Sequence, residues 1–129
     1  MRFTAAAALF FGAVAMAETV TITQFSVHND NNVVDGYSFH LSGDDATDLT
    51  CAGQTSIPSD IVNCGDSKYR FQLGPAADSS TFSLRVYHEV GTAVGVTGTT
   101  DIATHCRSGG GSTNVCEANN DSTTIELTS

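Results

Sequence analysis

The sequence predicts an all-β domain, a compact antiparallel β-barrel or β-sandwich, on three observations. Apolar residues recur with period two through most of the chain. Clusters of Asn, Asp, Gly and Ser punctuate these runs at intervals of about eight to twelve residues, the spacing of turns between short strands. No stretch carries a sustained i, i+3, i+4, i+7 apolar stripe, so helix is confined to at most one short turn over residues 59–63.

The elements follow in order. Val20 and Ile22, with Gln24 continuing their parity, alternate with Thr19, Thr21 and Thr23. Tyr37, Phe39 and Leu41 form a second inward set, and Tyr69, Phe71 and Leu73 a third. Phe82, Leu84, Val86, His88 and Val90 form the fourth, and Ile125 and Leu127 close the series. Thr and Ser dominate the opposite parity, which suits the solvent face of a strand better than a helix. Asn29 to Asn32, Ser42-Gly43-Asp44-Asp45, Gly74-Pro75 and Gly109-Gly110-Gly111 read as turns, and residues 90–100 as a glycine-bent strand.

The first 17 residues read as an export signal. Arg2 gives a cationic start, Ala5 to Val14 an uncharged core, and Ala15-Met16-Ala17 the small residues that precede cleavage before Glu18. Residues 18–129 then form a single domain. The chain is 40% hydrophobic and 15% charged, which excludes disorder, and it has no apolar run long enough to span a bilayer as a helix. Its formal charge of −9 argues against nucleic acid and anionic membrane surfaces as partners.

Export means an oxidising compartment, and four cysteines lie in the exported part: Cys51, Cys64, Cys106 and Cys116. Three connectivities are possible, and the spacing favours the two short loops, Cys51–Cys64 and Cys106–Cys116. A zinc site is disfavoured, because no C-x-x-C pair is present and His105 adjoins Cys106 on the opposite face of a strand. The sequence offers no metal site and no cofactor motif. The triple glycine at 109–111 lacks the helix and lysine of a phosphate cradle and reads as a bridged hairpin with positive φ. Asn120-Asp121-Ser122 is a glycosylation sequon.

Catalytic motifs are missing. There is no G-x-S-x-G elbow, and the thiols are accounted for by bridges. Among fourteen acidic residues, close pairs such as Asp44/Asp45 or Glu89/Asp101 carry no specific signal for a glycosidase. His28, His40 and His105 fall on polar, turn or bridged positions. His88 alone shares the parity of the apolar face, the usual place for a hydrogen-bonded core histidine. A secreted hydrolase is the weakest reading, and it would require His88 in an open cleft against Asp or Ser.

One resemblance covers essentially all of residues 18–129. Ile22-Thr23-Gln24-Phe25, Tyr37-Ser38-Phe39-His40-Leu41, Leu49-Thr50-Cys51, Cys64-Gly65, a Tyr-Arg-Phe strand, Thr104-His105-Cys106-Arg107-Ser108-Gly109-Gly110 and Val115-Cys116 follow in an order and spacing that resembles the Alternaria major-allergen-like family of small secreted ascomycete proteins, which includes elicitors and effectors. The resemblance implies a β-barrel or sandwich with the two sequential bridges and no known enzymatic activity. The family's founding allergen carries a further N-terminal cysteine for a covalent dimer. That cysteine is absent here, which leaves a monomer or non-covalent dimer and puts in doubt the flavonoid binding linked to the dimer interface. The expected function is that of an effector or elicitor acting in the plant apoplast, where loops 28–36, 42–48 and 107–115 bind a host protein of basic character. The alternative is a carrier of phenolic or flavonoid small molecules.

Overall fold

The computed structural model describes residues 16–129. The expected signal over residues 1–17 therefore lies almost wholly outside the described residues. Nine strands run in chain order: β1 Ala17–Asp30, β2 Val33–Gly43, β3 Ala46–Gly53, β4 Val62–Asn63, β5 Tyr69–Pro75, β6 Thr81–Gly91, β7 Val94–Gly110, β8 Thr113–Ala118 and β9 Ser122–Thr128. All pairings are antiparallel, and the hydrogen-bonded order is β3-β2-β1-β8-β7-β6-β5-β4. The short β8 and β9 lie end to end between two long strands. β8 pairs the C-terminal half of β1, and β9 pairs its N-terminal half. Both also pair β7.

This arrangement explains why β1 and β7, at 14 and 17 residues, exceed the expected strand length. Each serves two partners on one side, so one continuous strand replaces two short ones. β1 changes partner at Gln24, which adopts φ 54° within a break in register between Thr23 and Ser26. The break resets the alternation. Gln24 is exposed, not inward as its parity suggests, and Phe25 and Val27 take the buried positions. A second correction falls at residues 90–100. These are not one bent strand but the β6–β7 hairpin, with Ala93 at φ 57° and a register shift between Glu89 and Gly91 that leaves Val90 exposed. Residues 59–63 form no helical turn. Ser59 instead exchanges backbone and hydroxyl hydrogen bonds with Leu73 and covers the outer edge of β5 beyond the two-residue β4.

The core is the inner face of this curved sheet. Ile22, Phe25, Phe39, Leu41, Phe71, Leu73, Phe82, Leu84, Val86, Ile125 and Leu127 are all buried. Phe39 and Phe71 meet edge to face with centroids 4.9 Å apart, joining β2 to β5 across the interior. Gly98 is needed where β7 passes β9, because a Cβ there would lie 2.1 Å from the carbonyl oxygen of Glu126. The Cys51–Cys64 bridge links β3 to the residue that follows β4, the two ends of the strand order. The ring of strands is thus closed by a covalent seam. The Cys106–Cys116 bridge, by contrast, joins residues already directly opposite on β7 and β8.

Candidate functional site

The most concentrated chemistry lies at one end of the barrel, where the start of β1, the β2–β3 turn, β5 and β6 converge. Alternation sends Glu18 of β1, Tyr69 of β5 and His88 of β6 inward, and all three are buried. His88 Nδ1 lies 2.5 Å from Glu18 Oε1, and its Nε2 lies 2.9 Å from Asp45 Oδ2. Each ring nitrogen of His88 thus faces a carboxylate oxygen, one from β1 and one from the β2–β3 turn. Glu18 Oε2 also accepts from the Tyr69 hydroxyl and, at 2.9 Å, from the backbone N–H of Asp44. Asp45 N–H donates to the Tyr69 oxygen at 3.1 Å. The Tyr69 and His88 rings stack with centroids 3.9 Å apart at 12°. Gly43 makes room for this cluster, because a Cβ there would stand 2.6 Å from Glu18 Oε2 and 2.7 Å from the Tyr69 hydroxyl.

Burial, with the hydrogen bond donated to Glu18, pushes the Tyr69 phenol above its ordinary value of 10.0; the N–H of Asp45 pulls the other way. The folded state therefore holds the protonated phenol more tightly than the unfolded chain does. The stability this contributes is complete below pH 10 and is lost as pH rises from there toward the folded value. Tyr69→Phe is expected to lower stability at neutral pH by about 1–3 kcal/mol, since Glu18 and the Asp45 N–H each lose a partner. It is also expected to flatten the pH dependence above pH 10, measured by urea unfolding across the alkaline range. An unchanged alkaline slope would contradict the assignment.

The arrangement binds strands together and leaves neither ring nitrogen of His88 for a substrate. A general base needs one nitrogen facing the group it deprotonates. The side chain of His88 is 2% exposed and that of Glu18 3%, so the open cleft that a hydrolase reading requires is absent at this histidine. The other histidines each face a neighbour: His28 to Asp35 at 2.5 Å, His40 to Asp48 at 2.7 Å and His105 to Asn119 at 2.9 Å.

The three predicted recognition loops do not lie together. Asn31 N–H bonds to the carbonyl of Ser112, and the Ser112 hydroxyl bonds to Asp30, so segments 28–36 and 107–115 stand side by side. Asn31 and Asn32 turn the first hairpin with φ 54° and 64°, and Gly110 and Gly111 turn the second with φ 101° and 60°. Segment 42–48 sits at the opposite end of β2, about 35 Å away for an 11-residue strand, and supplies Asp44 and Asp45 to the buried cluster. The 76–80 turn joins the first pair, where the backbone N–H of Ser80 and the hydroxyls of Thr81 and Ser80 hold the Asp78 carboxyl below its usual range. These segments border a hollow of about 540 Å³ whose walls include Val33, Val34, Ile57 and Phe82. All four cysteines are paired as the bridges above, with no free thiol among the described residues. Asn120 is exposed in the β8–β9 turn.

Residues 22–120 match the family model of Alternaria alternata allergen 1. The chain belongs to that family. It is 39% identical to the effector protein PevD1 of Verticillium dahliae over 145 aligned positions, covering 97% of this chain and 93% of that one. Two crystal structures of the Alternaria alternata major allergen Alt a 1 share the fold. One matches with a TM-score of 0.68 at 22% identity over 84% of this chain and 91% of the other. The second matches with a TM-score of 0.69 over 84% of this chain and 86% of its own. Family membership places the all-β architecture and the two bridges in a known frame. It does not point to the Glu18–His88–Asp45–Tyr69 cluster, which the sequence reading also missed. Parity placed Tyr69 and His88 inward, on separate strands, without bringing them together. Glu18 stood at a predicted cleavage point, and Asp45 was one acid among fourteen.

Proposed function

We propose that this chain is a secreted effector-type protein that acts in the plant apoplast by binding a host protein, without catalysing a reaction. The observation that carries the reading is its 39% identity, along nearly the whole length of both chains, to a protein named as an effector. The geometry supports it: the polar centre is buried and internally satisfied, while residues 30–33 and 110–112 at the two hairpin tips are exposed and stand side by side. Fourteen acidic against five basic residues favour a basic partner through electrostatic steering.

The test is capture of host protein from apoplastic fluid by the oxidised chain, compared with a tip variant carrying Asn31→Gly, Asn32→Gly, Val33→Ser, Asp35→Ser and Asn114→Ser. Capture of one basic protein, lost in the tip variant and slowed markedly at tenfold higher ionic strength, is the expected result. Equal capture by both chains, or an on-rate indifferent to salt, would overturn it. A second reading, a small-molecule carrier, draws on the 540 Å³ hollow beside the same tips, which lies within the usual range of ligand sites. It predicts a saturable thermal shift with phenolics, and a flat response would remove it.

A further inference from the structure

The described residues of this acidic chain hold four Lys or Arg side chains, and three of them share one face. Tyr69, Phe71 and Leu73 of β5 and Leu84, Val86 and His88 of β6 point inward, so Lys68, Arg70, Gln72, Arg85 and Tyr87 point out. The register sets them in ranks. Arg70 stands opposite Tyr87, which stands opposite Thr97; Gln72 stands opposite Arg85, which stands opposite Thr99. Lys68 begins a third rank through the hydrogen bond its carbonyl accepts from Glu89 N–H at 3.0 Å. Arg70 lies 3.6 Å from Glu89, but Lys68 and Arg85 have no carboxylate within ion-pair distance among the described residues. The Arg85 guanidinium lies 6.0 Å from the Tyr87 ring centroid, and the Tyr87 hydroxyl donates to Gln72 Oε1 at 3.3 Å. Beside these ranks is a hollow of about 380 Å³ walled by Lys68, Arg70, Tyr87, Val94 and Thr97. Asp101 and Glu126 bound the face at β7 and β9.

We infer that this face is a binding site for a carboxylate-bearing polysaccharide, a polyuronate chain laid across β5, β6 and β7. The cations stand apart from one another, with hydroxyl and amide groups and an aromatic ring among them, and only Arg70 is partly offset by a carboxylate, that of Glu89. A uronate chain presents one carboxylate per sugar, hydroxyls between, and an apolar C–H face for an aromatic platform. Duplex nucleic acid, with about one charge per 1.7 Å of axis, meets too few cations here. A peptide adding as a strand needs a free edge, and these strands have none: β6 is paired on both sides, and the outer edge of β5 is covered by β4 and Ser59. The site stands on this placement alone and is independent of the host-protein reading above.

The test titrates the oxidised chain, isotope-labelled for NMR, with a galacturonate hexamer, its full methyl ester and a hexaglutamate peptide. Saturable shifts confined to residues 68–72, 85–89 and 95–99 are expected with the hexamer, weakening as salt rises. The methyl ester is expected to bind at least about tenfold more weakly, in keeping with loss of several exposed charge contacts. Lys68→Glu with Arg85→Glu is expected to abolish the shifts, whereas Arg107→Glu, a reversal elsewhere on the surface, leaves them intact. All three side chains are exposed, so folding survives the substitutions. No saturable shift, equal binding of the ester, equal loss in Arg107→Glu, or tighter binding of hexaglutamate would each overturn the assignment.

Discussion

A chain with Cys51→Ala and Cys64→Ala is expected to lose about 3–5 kcal/mol of stability, and one with Cys106→Ala and Cys116→Ala distinctly less, about 1–3 kcal/mol. Loop entropy does not distinguish them. The bridges span 13 and 10 residues, and a chain-entropy account gives about 3 kcal/mol for each. The difference comes from what each joins. Cys106 and Cys116 sit opposite one another in a ladder that continues on both sides, His105 with Glu117 and Arg107 with Val115. Without sulfur, that pairing remains. β3 and β4 share no ladder, so removing Cys51–Cys64 lets the two ends of the ring separate and wets a seam in which both sulfurs are buried. Urea unfolding of the two double variants measures the comparison directly. Equal losses would reduce both bridges to entropic tethers, and a larger loss at Cys106–Cys116 would contradict the seam.

The second large effect is at the buried cluster. Removing one member of a buried salt bridge leaves the other without its partner, at a cost of about 3–5 kcal/mol. Glu18→Ala and His88→Ala are each expected to fall in that range. Asp45→Ala is expected to cost under about 1 kcal/mol, because that carboxylate is 65% exposed. In a Glu18→Gln, His88→Gln cycle the double variant is expected to lose at least about 1 kcal/mol less than the sum of the singles. Additivity within about 0.5 kcal/mol would show that the two side chains do not act as a unit. Because Glu18 is the residue that follows the expected cleavage point, export processing one residue later would remove a strand-joining group, whereas cleavage before Glu18 keeps it.

Particular residues show where sequence reasoning reaches and where it stops. The inward sets Tyr37-Phe39-Leu41, Tyr69-Phe71-Leu73 and Phe82-Leu84-Val86-His88 were legible because a strand's side chains alternate strictly and water sorts them. Both bridges were legible because short loops close most readily. Gln24 and Val90 were misplaced because each sits at a register break, and parity carries no information across a bulge. The cluster stayed hidden for a different reason. Its four members come from β1, a turn, β5 and β6, and their meeting depends on the ring being closed, which no local pattern encodes. The face carrying Lys68, Arg70 and Arg85 is likewise visible only once register aligns two strands.

On the function proposed above, the hairpin tips of the bridged ring make the recognition contact and the buried His88 serves to hold strands together. The most direct measurement is the plant defence response to His88→Gln and to the tip variant, each applied well below its own unfolding temperature. The prediction is an undiminished response to His88→Gln and none to the tip variant. A response that vanishes with His88→Gln while the chain remains folded, and survives exchange of the tips, would contradict it.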